Sequence, residues 1–275
     1  MKYKIGWDNF AQEVNRSDES INLARASLYL AQAEYPELDI SKYLQQLDLI
    51  AEDIAIKLPS ERYPLQIIKT INHHLYNYLE FRGNNQDYYN PKNSFLNDVI
   101  ELRTGIPLTL SIIYLEIAKR LNFPMLGIGM PGHFIIRPDF KEAGIFVDAF
   151  NQGEILFKED CEAKLQQLYQ QPVKLEARFL ESVNNRQILA RMLTNLKQIF
   201  LHRRKYNNVL AVISGLPILF PNNPHELRDR GLLHYELNHL QAAYQDLQAY
   251  LKFANYGDEY QMIQMLLNKI ENSLG

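Results

Sequence analysis

The fold turns on one stretch: NSFLNDVIELRTGIPLTLSIIYLEIAKRLNFP at 93–124, followed by MPGHFIIR at 130–137 and FVDAFNQG at 146–153. After Thr104-Gly105-Ile106-Pro107, residues 108–121 are strongly apolar at helical spacing. Leu110, Ile113, Tyr114, Ile117 and Leu121 share one broad face,. A helix with so few polar positions is buried on most sides, which makes it the centre of the domain. Pro107 fits its first turn, where the missing N–H would be unpaired anyway. Then the period changes. Residues 125–129, 133–137, 145–148 and 154–157 are short, partly β-branched or aromatic, and separated by Pro, Gly and Asn. They predict a small antiparallel sheet packed on the central helix.

Toward the N-terminus the spacing from Ser20 to about Leu79 is helical. Leu23, Ala26, Leu30 and Ala33 form one stripe, and Leu44, Leu47, Ile50, Ala51 and Ile54 another,. Pro36 and Pro59 punctuate them, and a third helix is predicted over 65–80. Residues 82–92, RGNNQDYYNPK, predict a loop, after which Asn93 or Ser94 can cap a helix running through Phe95, Val99 and Leu102,. From Ser182 onward the pattern is helical throughout. Segments 190–223 and 224–257 align at a spacing of 34 residues, the tetratricopeptide period. Leu193 falls on Leu227, Val209 on Ala243 and Ile213 on Leu247, with Pro221 as closing proline and Gly231 and Ala243 as small residues. Arg230, Tyr250 and Asn255 depart from the repeat consensus. A last helix over 259–274 caps the stack.

The composition excludes several classes. A net charge of −3 and no basic face argue against nucleic-acid binding, and the run His202-Arg203-Arg204-Lys205 is read as cations at a helix C-terminus,. A single cysteine, Cys161, leaves no intramolecular disulfide and no multi-cysteine zinc site,. The opening MKYKIGWDNFAQEVN has no apolar core of a secretory signal, and no stretch approaches the ~18 apolar residues of a membrane span,. The expected location is the cytoplasm. Neither a metal nor another cofactor is expected: neighbouring His73 and His74 point about 100° apart on a helix, so one faces solvent. His225-Glu226 begins HELRD, whose fifth residue is Asp229 rather than a second histidine,.

A helix followed by a histidine strand and then an aspartate strand is the order of cysteine acyl-transfer enzymes of the transglutaminase type. There a cysteine opens the helix, histidine is the base and aspartate orients it. Fifteen residues separate His133 from Asp148, enough for a cross-strand pair on adjacent antiparallel strands,. The motifs Phe81-Arg82-Gly83-Asn84, Asn93-Ser94-Phe95-Leu96-Asn97, Arg103-Thr104-Gly105-Ile106-Pro107, Pro131-Gly132-His133-Phe134 and Val147-Asp148-Ala149-Phe150-Asn151 carry a wider likeness. From Ile21 to its end the chain resembles bacterial transglutaminase-like proteins with C-terminal tetratricopeptide repeats, the SirB-type family. The resemblance implies an α+β, papain-type transglutaminase-like domain over 1–178, with a helical part at 1–90 and a core helix and sheet at 91–160. It implies all-α repeats over 179–275. It also puts His133 and Asp148 at the positions of the base and its orienting acid, with Asn93, Pro107, Ser111, Phe134 and Asn151 lining the cleft.

One position departs from the catalytic pattern. Counting back from Asn122-Phe123-Pro124 puts Pro107 where active relatives carry cysteine, and proline has no thiol and no proton to lose. Thr109 lies about 200° around the helix, and Ser111, on the same face, is about 6 Å deeper along the axis. Ser111 is expected to bond a backbone carbonyl instead. Cys161 stands among Glu159, Asp160 and Glu162, which raise a thiol pKa, and is read as structural or surface,. The resulting expectation is a non-acylating protein that binds a protein or peptide partner. The alternative is a hydrolase or transferase using the His133–Asp148 pair as general base without a thiol.

Overall fold

The computed structural model describes residues 4–140, 144–221 and 223–274. The first three residues of the N-terminal stretch weighed above as a signal lie outside them. The chain forms two compact units, Met1–Met192 and Leu193–Gly275.

In the first unit the helix that opens at Pro107 is the core, as the sequence implies. This helix, α6 (Pro107–Arg120), is buried at every position from Pro107 to Ala118. Four earlier helices, α1 (Lys4–Val14), α2 (Leu23–Glu34), α3 (Ile40–Ala55) and α4 (Pro64–Asn72), precede the short α5 (Leu96–Leu102). Of these, α2, α3 and α5 pack on α6, and β3 (Met125–Ile128) and β4 (Ile135–Pro138) cover it from the other side. The sheet is antiparallel, with strand order β6-β5-β4-β3-β7, where β5 is Phe146–Asp148, β6 Glu154–Leu156 and β7 Ser182–Val183. Helix α7 (Lys158–Tyr169) follows β6. The fold is α+β: a transglutaminase-like domain with a small antiparallel sheet, followed by tetratricopeptide-type helices.

In its secondary structure and unit boundary the structure departs from the sequence reading as follows. The predicted helix over 65–80 stops as α-helix at Asn72 and continues as a π-helix, His73–Tyr78, with wider turns. Arg82–Gly83 is not loop but strand β1, paired in parallel with β2 (Thr104–Gly105). Neither Asn93 nor Ser94 caps α5. Its N-cap is Phe95, and the Asn93 amide instead donates to the carbonyls of Asp87 and Tyr88, at 2.8 and 3.1 Å. Ser182–Val183 is a strand on β3, and Ile188, Leu189 and Met192 are buried with the first unit. The compact units divide after Met192, whereas the resemblance implies a boundary at 178.

The second unit contains the end of α8 (Asn185–His202), α9 (Tyr206–Leu219), α10 (Pro224–Glu236), α11 (Leu240–Leu251) and α12 (Asp258–Leu274). Tyr206 and Leu240 open equivalent helices 34 residues apart, and Pro224 and Asp258 do the same. Leu247 is fully buried with Ala243, Tyr250, Ile263, Leu267 and Ile270. Helix α10 approaches it at Gly231, where a Cβ would meet Leu247 Cγ at 2.7 Å. Arg230, off-consensus in sequence, makes a two-pronged ion pair with Asp246 at 2.6 and 2.7 Å,.

Removing the side chain that fills this seam tests the repeat packing. Leu247→Ala is expected to destabilise the second unit by about 2–5 kcal/mol, read from urea unfolding. A loss below about 0.5 kcal/mol would contradict the packing described.

Candidate functional site

Asp148 ends β5 with its side chain fully buried. A carboxylate there is costly unless its lone pairs are met, and five donors meet them. On Oδ1 they are the backbone N–H groups of Phe150 and Asn151, at 3.1 and 3.2 Å. On Oδ2 they are Asn151 Nδ2 and His133 Nε2, each at 2.8 Å, and the Lys164 ammonium at 3.3 Å. Burial pushes this carboxyl up. The His133 hydrogen bond and charge, the Asn151 amide and Lys164 outweigh it and bring the pKa down to about 2. Because the ionised carboxylate can only accept, the Nε2 proton of His133 is donated to it. Nδ1 is left with no hydrogen-bond partner among the described residues.

His133 is not on a strand. It follows Met130 and the left-handed Gly132 (φ +71°) and enters β4 two residues later. With Ile136 facing Val147 across the β4–β5 pair, the residue opposite His133 is Phe150, not Asp148. The expected cross-strand pair is therefore a diagonal one. The imidazole packs edge-on to the Phe150 ring, centroids 6.4 Å apart, and reaches past it to the carboxylate. Phe150 in turn lies on Gly83, where a Cβ would sit 2.6 Å from the ring. Gly83 pairs with Gly105, two residues before Pro107. The strand paired with the residues that lead into α6 thus lies against the same aromatic ring as the imidazole.

Two residues that hold this geometry escaped the sequence reading. Arg191 of α8 donates to the His133 carbonyl at 2.8 Å and to the Met130 carbonyl at 3.3 and 3.4 Å, clamping the loop that carries the imidazole. Its guanidinium also covers the Phe134 ring. Lys164 of α7 bridges Asp148 and Glu154, the latter at 2.8 Å. Neither has a motif to mark it, since each reaches the site from a distant amphipathic helix. Asn72 is a third brace: it accepts from the Tyr114 hydroxyl of α6 at 2.9 Å and donates to the Gly153 carbonyl at 2.7 Å.

A cavity of about 360 Å³ opens beside the imidazole, lined by Met130, His133, Asn151, Lys164, Gln167 and Leu168. Of the expected cleft residues, Asn151 and His133 face it. Asn93, Pro107, Ser111 and Phe134 are buried and do not line it. Pro107 stands at the first position of α6, where the Thr109 hydroxyl accepts the Ile106 N–H at 3.2 Å and donates to the Asn93 carbonyl at 2.7 Å. Ser111 does not make the expected bond to a backbone carbonyl, since its buried hydroxyl has no partner among the described residues. Cys161 is not on the surface but fully buried among Ile128, Met130, Ile135, Phe146 and Leu165. Burial first, then Asp160 and Asp148, pushes its thiol up to about 12. His73 is exposed while His74 is buried beside Lys57. Among the described residues no three His, Cys, Asp or Glu side chains converge on a metal position.

Residues 41–194, which hold the whole constellation, match the family model of the transglutaminase-like superfamily. The chain belongs to that superfamily. Residues 196–268 match a tetratricopeptide repeat. The chain is similar to a UPF0162 protein of Xylella fastidiosa, 32% identical over 90% of this chain and 88% of that one. It is similar to Protein SirB1 of Salmonella typhimurium, 25% identical over 86% of this chain and 87% of that one. A shorter likeness, 34% identity over 48% of this chain and 21% of the other, joins it to F-box only protein 21 of Homo sapiens. No solved structure matches the chain.

Two outcomes test the site's energetics. A carboxyl depressed in the folded state stabilises above its unfolded pKa of about 3.9 and loses that contribution as pH falls through the folded value. Acid unfolding of the wild type should therefore show a loss on the order of 2 kcal/mol between about pH 4 and pH 2, absent from Asp148→Asn. Arg191→Met should speed amide exchange at 130–134, and Arg191→Lys should not restore it, because one ammonium cannot reproduce the fork on two carbonyls. Unchanged exchange in Arg191→Met would rule out the clamp.

Proposed function

We propose that this chain is a non-acylating, transglutaminase-like binding protein, a pseudoenzyme that acts as a scaffold or regulator. The cavity beside His133 and Asp148 receives a protein or peptide segment, and the tetratricopeptide-type helices offer a second surface for a protein partner, as such repeats commonly do. The observation that carries the reading is a fully formed imidazole–carboxylate pair with no nucleophile to activate. The residue opening α6 is Pro107, the one thiol is buried in an apolar cluster, and among the described residues no hydroxyl or thiol side chain lines the cavity. A bacterial cytoplasmic location is part of this reading, supported by a lone buried cysteine, which suits a reducing compartment, and by the bacterial sources of the UPF0162 and SirB1 relatives,.

A second reading has one observation in its favour. The His133 imidazole is oriented by an ionised carboxylate and keeps Nδ1 unpaired beside a cavity, which is the arrangement of a general base for water or a substrate hydroxyl,.

Selection of displayed random peptides on the full chain separates the two. The binding reading expects peptides whose affinity falls at least about tenfold in His133→Ala, a loss of ~1.4 kcal/mol, and that are recovered uncleaved. Hydrolysis of an amide or ester by the wild type, lost in His133→Ala, would favour the second reading and remove the first.

A further inference from the structure

The polar groups around the cavity are unequally committed. One N–H of the Asn151 amide is given to Asp148, and the Lys164 ammonium is shared between the carboxylates of Asp148 and Glu154. Two carboxylates against one ammonium leave no surplus positive charge to attract an anion. His133 Nδ1 and the Gln167 carboxamide carry no hydrogen bond among the described residues, and Asn151 keeps its second amide N–H and its Oδ1,. Met130 and Leu168 supply the apolar wall, and Leu168 packs so closely on the Gly132 turn that a Cβ there would meet it at 2.1 Å.

The chemistry of the imidazole then restricts the ligand. Asp148 has no proton to give and takes the one on Nε2, so a neutral imidazole presents only a lone pair at Nδ1,. We infer that the cavity reads a hydrogen-bond donor carried beside an apolar group: the N–H of a secondary amide, with its carbonyl accepting from Gln167. A carboxylate has no donor for Nδ1 and would meet a lone pair there. This inference rests on the reading that the cavity binds a peptide segment, and names the atom by which it does so.

The charged and titratable groups that face the imidazole are Asp148 from β5, Lys164 from α7 with Glu154 from β6 behind it, Arg191 from α8, and Tyr88, whose ring abuts Phe150. The test is therefore run at one fixed pH, about 8, for every ligand and variant.

Three fragments of nearly equal shape differ only at the group in question: N-methylisobutyramide, N,N-dimethylisobutyramide and isobutyrate. Each is titrated into the full chain while the ring-nitrogen resonances of His133 are followed. The secondary amide is expected to bind at least about tenfold more tightly than the other two and to move the Nδ1 resonance, because a ligand that covers the imidazole without a donor leaves that acceptor unpaired. Equal or tighter binding of the dimethylamide or of isobutyrate, with His133 still perturbed, overturns the inference and leaves the cavity as a binding site. If no fragment perturbs His133 at millimolar concentration, both the inference and the peptide-cavity reading fail. A Gln167→Ala variant that keeps the same preference while weakening all amide binding keeps the assignment of the donor site to Nδ1. Loss of the preference in that variant would transfer the discrimination to Gln167 and overturn it.

Discussion

A carboxylate without solvent, at the end of a strand, is what the site is organised around. Left alone, Asp148 would cost several kcal/mol or take up a proton. It stays ionised because the chain turns back on it at Phe150 and Asn151, and because His133 and Lys164 arrive from two other elements. Each donor constrains its own segment: the β5 turn, the loop before β4, and α7. One electrostatic requirement thereby fixes the meeting point of three pieces of chain, and the imidazole's orientation is a by-product of meeting it.

The buried helix supplies the other half of the frame. In an acylating relative the first turn of this helix would hold the thiol, where the dipole favours thiolate. Here Pro107 occupies that turn, and the Thr109 hydroxyl accepts the N–H of Ile106, the residue before it. The helix start is therefore a finished structural joint, tied to Asn93 on one side and, through the Gly105–Gly83 pairing, to the aromatic ring beside the imidazole on the other. The imidazole–carboxylate pair is fully formed beside a helix that opens with proline.

Sequence reached the elements whose signal is local. The apolar run of α6 and the 34-residue spacing of the repeats announce themselves by periodicity, and the motif around His133 and Asp148 by its residues. What it missed depends on contacts between distant segments. The π-helical turn at His73–Tyr78 has no composition of its own. Arg191 and Lys164 look like ordinary charges on amphipathic helices until the fold brings them to a carbonyl and a carboxylate. The expectation that Asn93, Pro107, Ser111 and Phe134 line a cleft carried over a family pattern. The side chains themselves are turned into the packing around the helix start and under β3, where Gly127 leaves room for the Phe134 ring.

The burial of Cys161 has a practical reach. Sealed among aliphatic side chains and held far above the range in which a thiol ionises at neutral pH, it will not meet an alkylating reagent while the domain is folded,. The wild-type protein is thus its own silent background for sulfur chemistry. A single cysteine introduced at the rim of the cavity would be the one reactive position on the molecule, and a fluorophore there would report occupancy without any native residue being removed. Reaction of Cys161 itself would then serve as a clock for unfolding of the apolar cluster beneath the sheet.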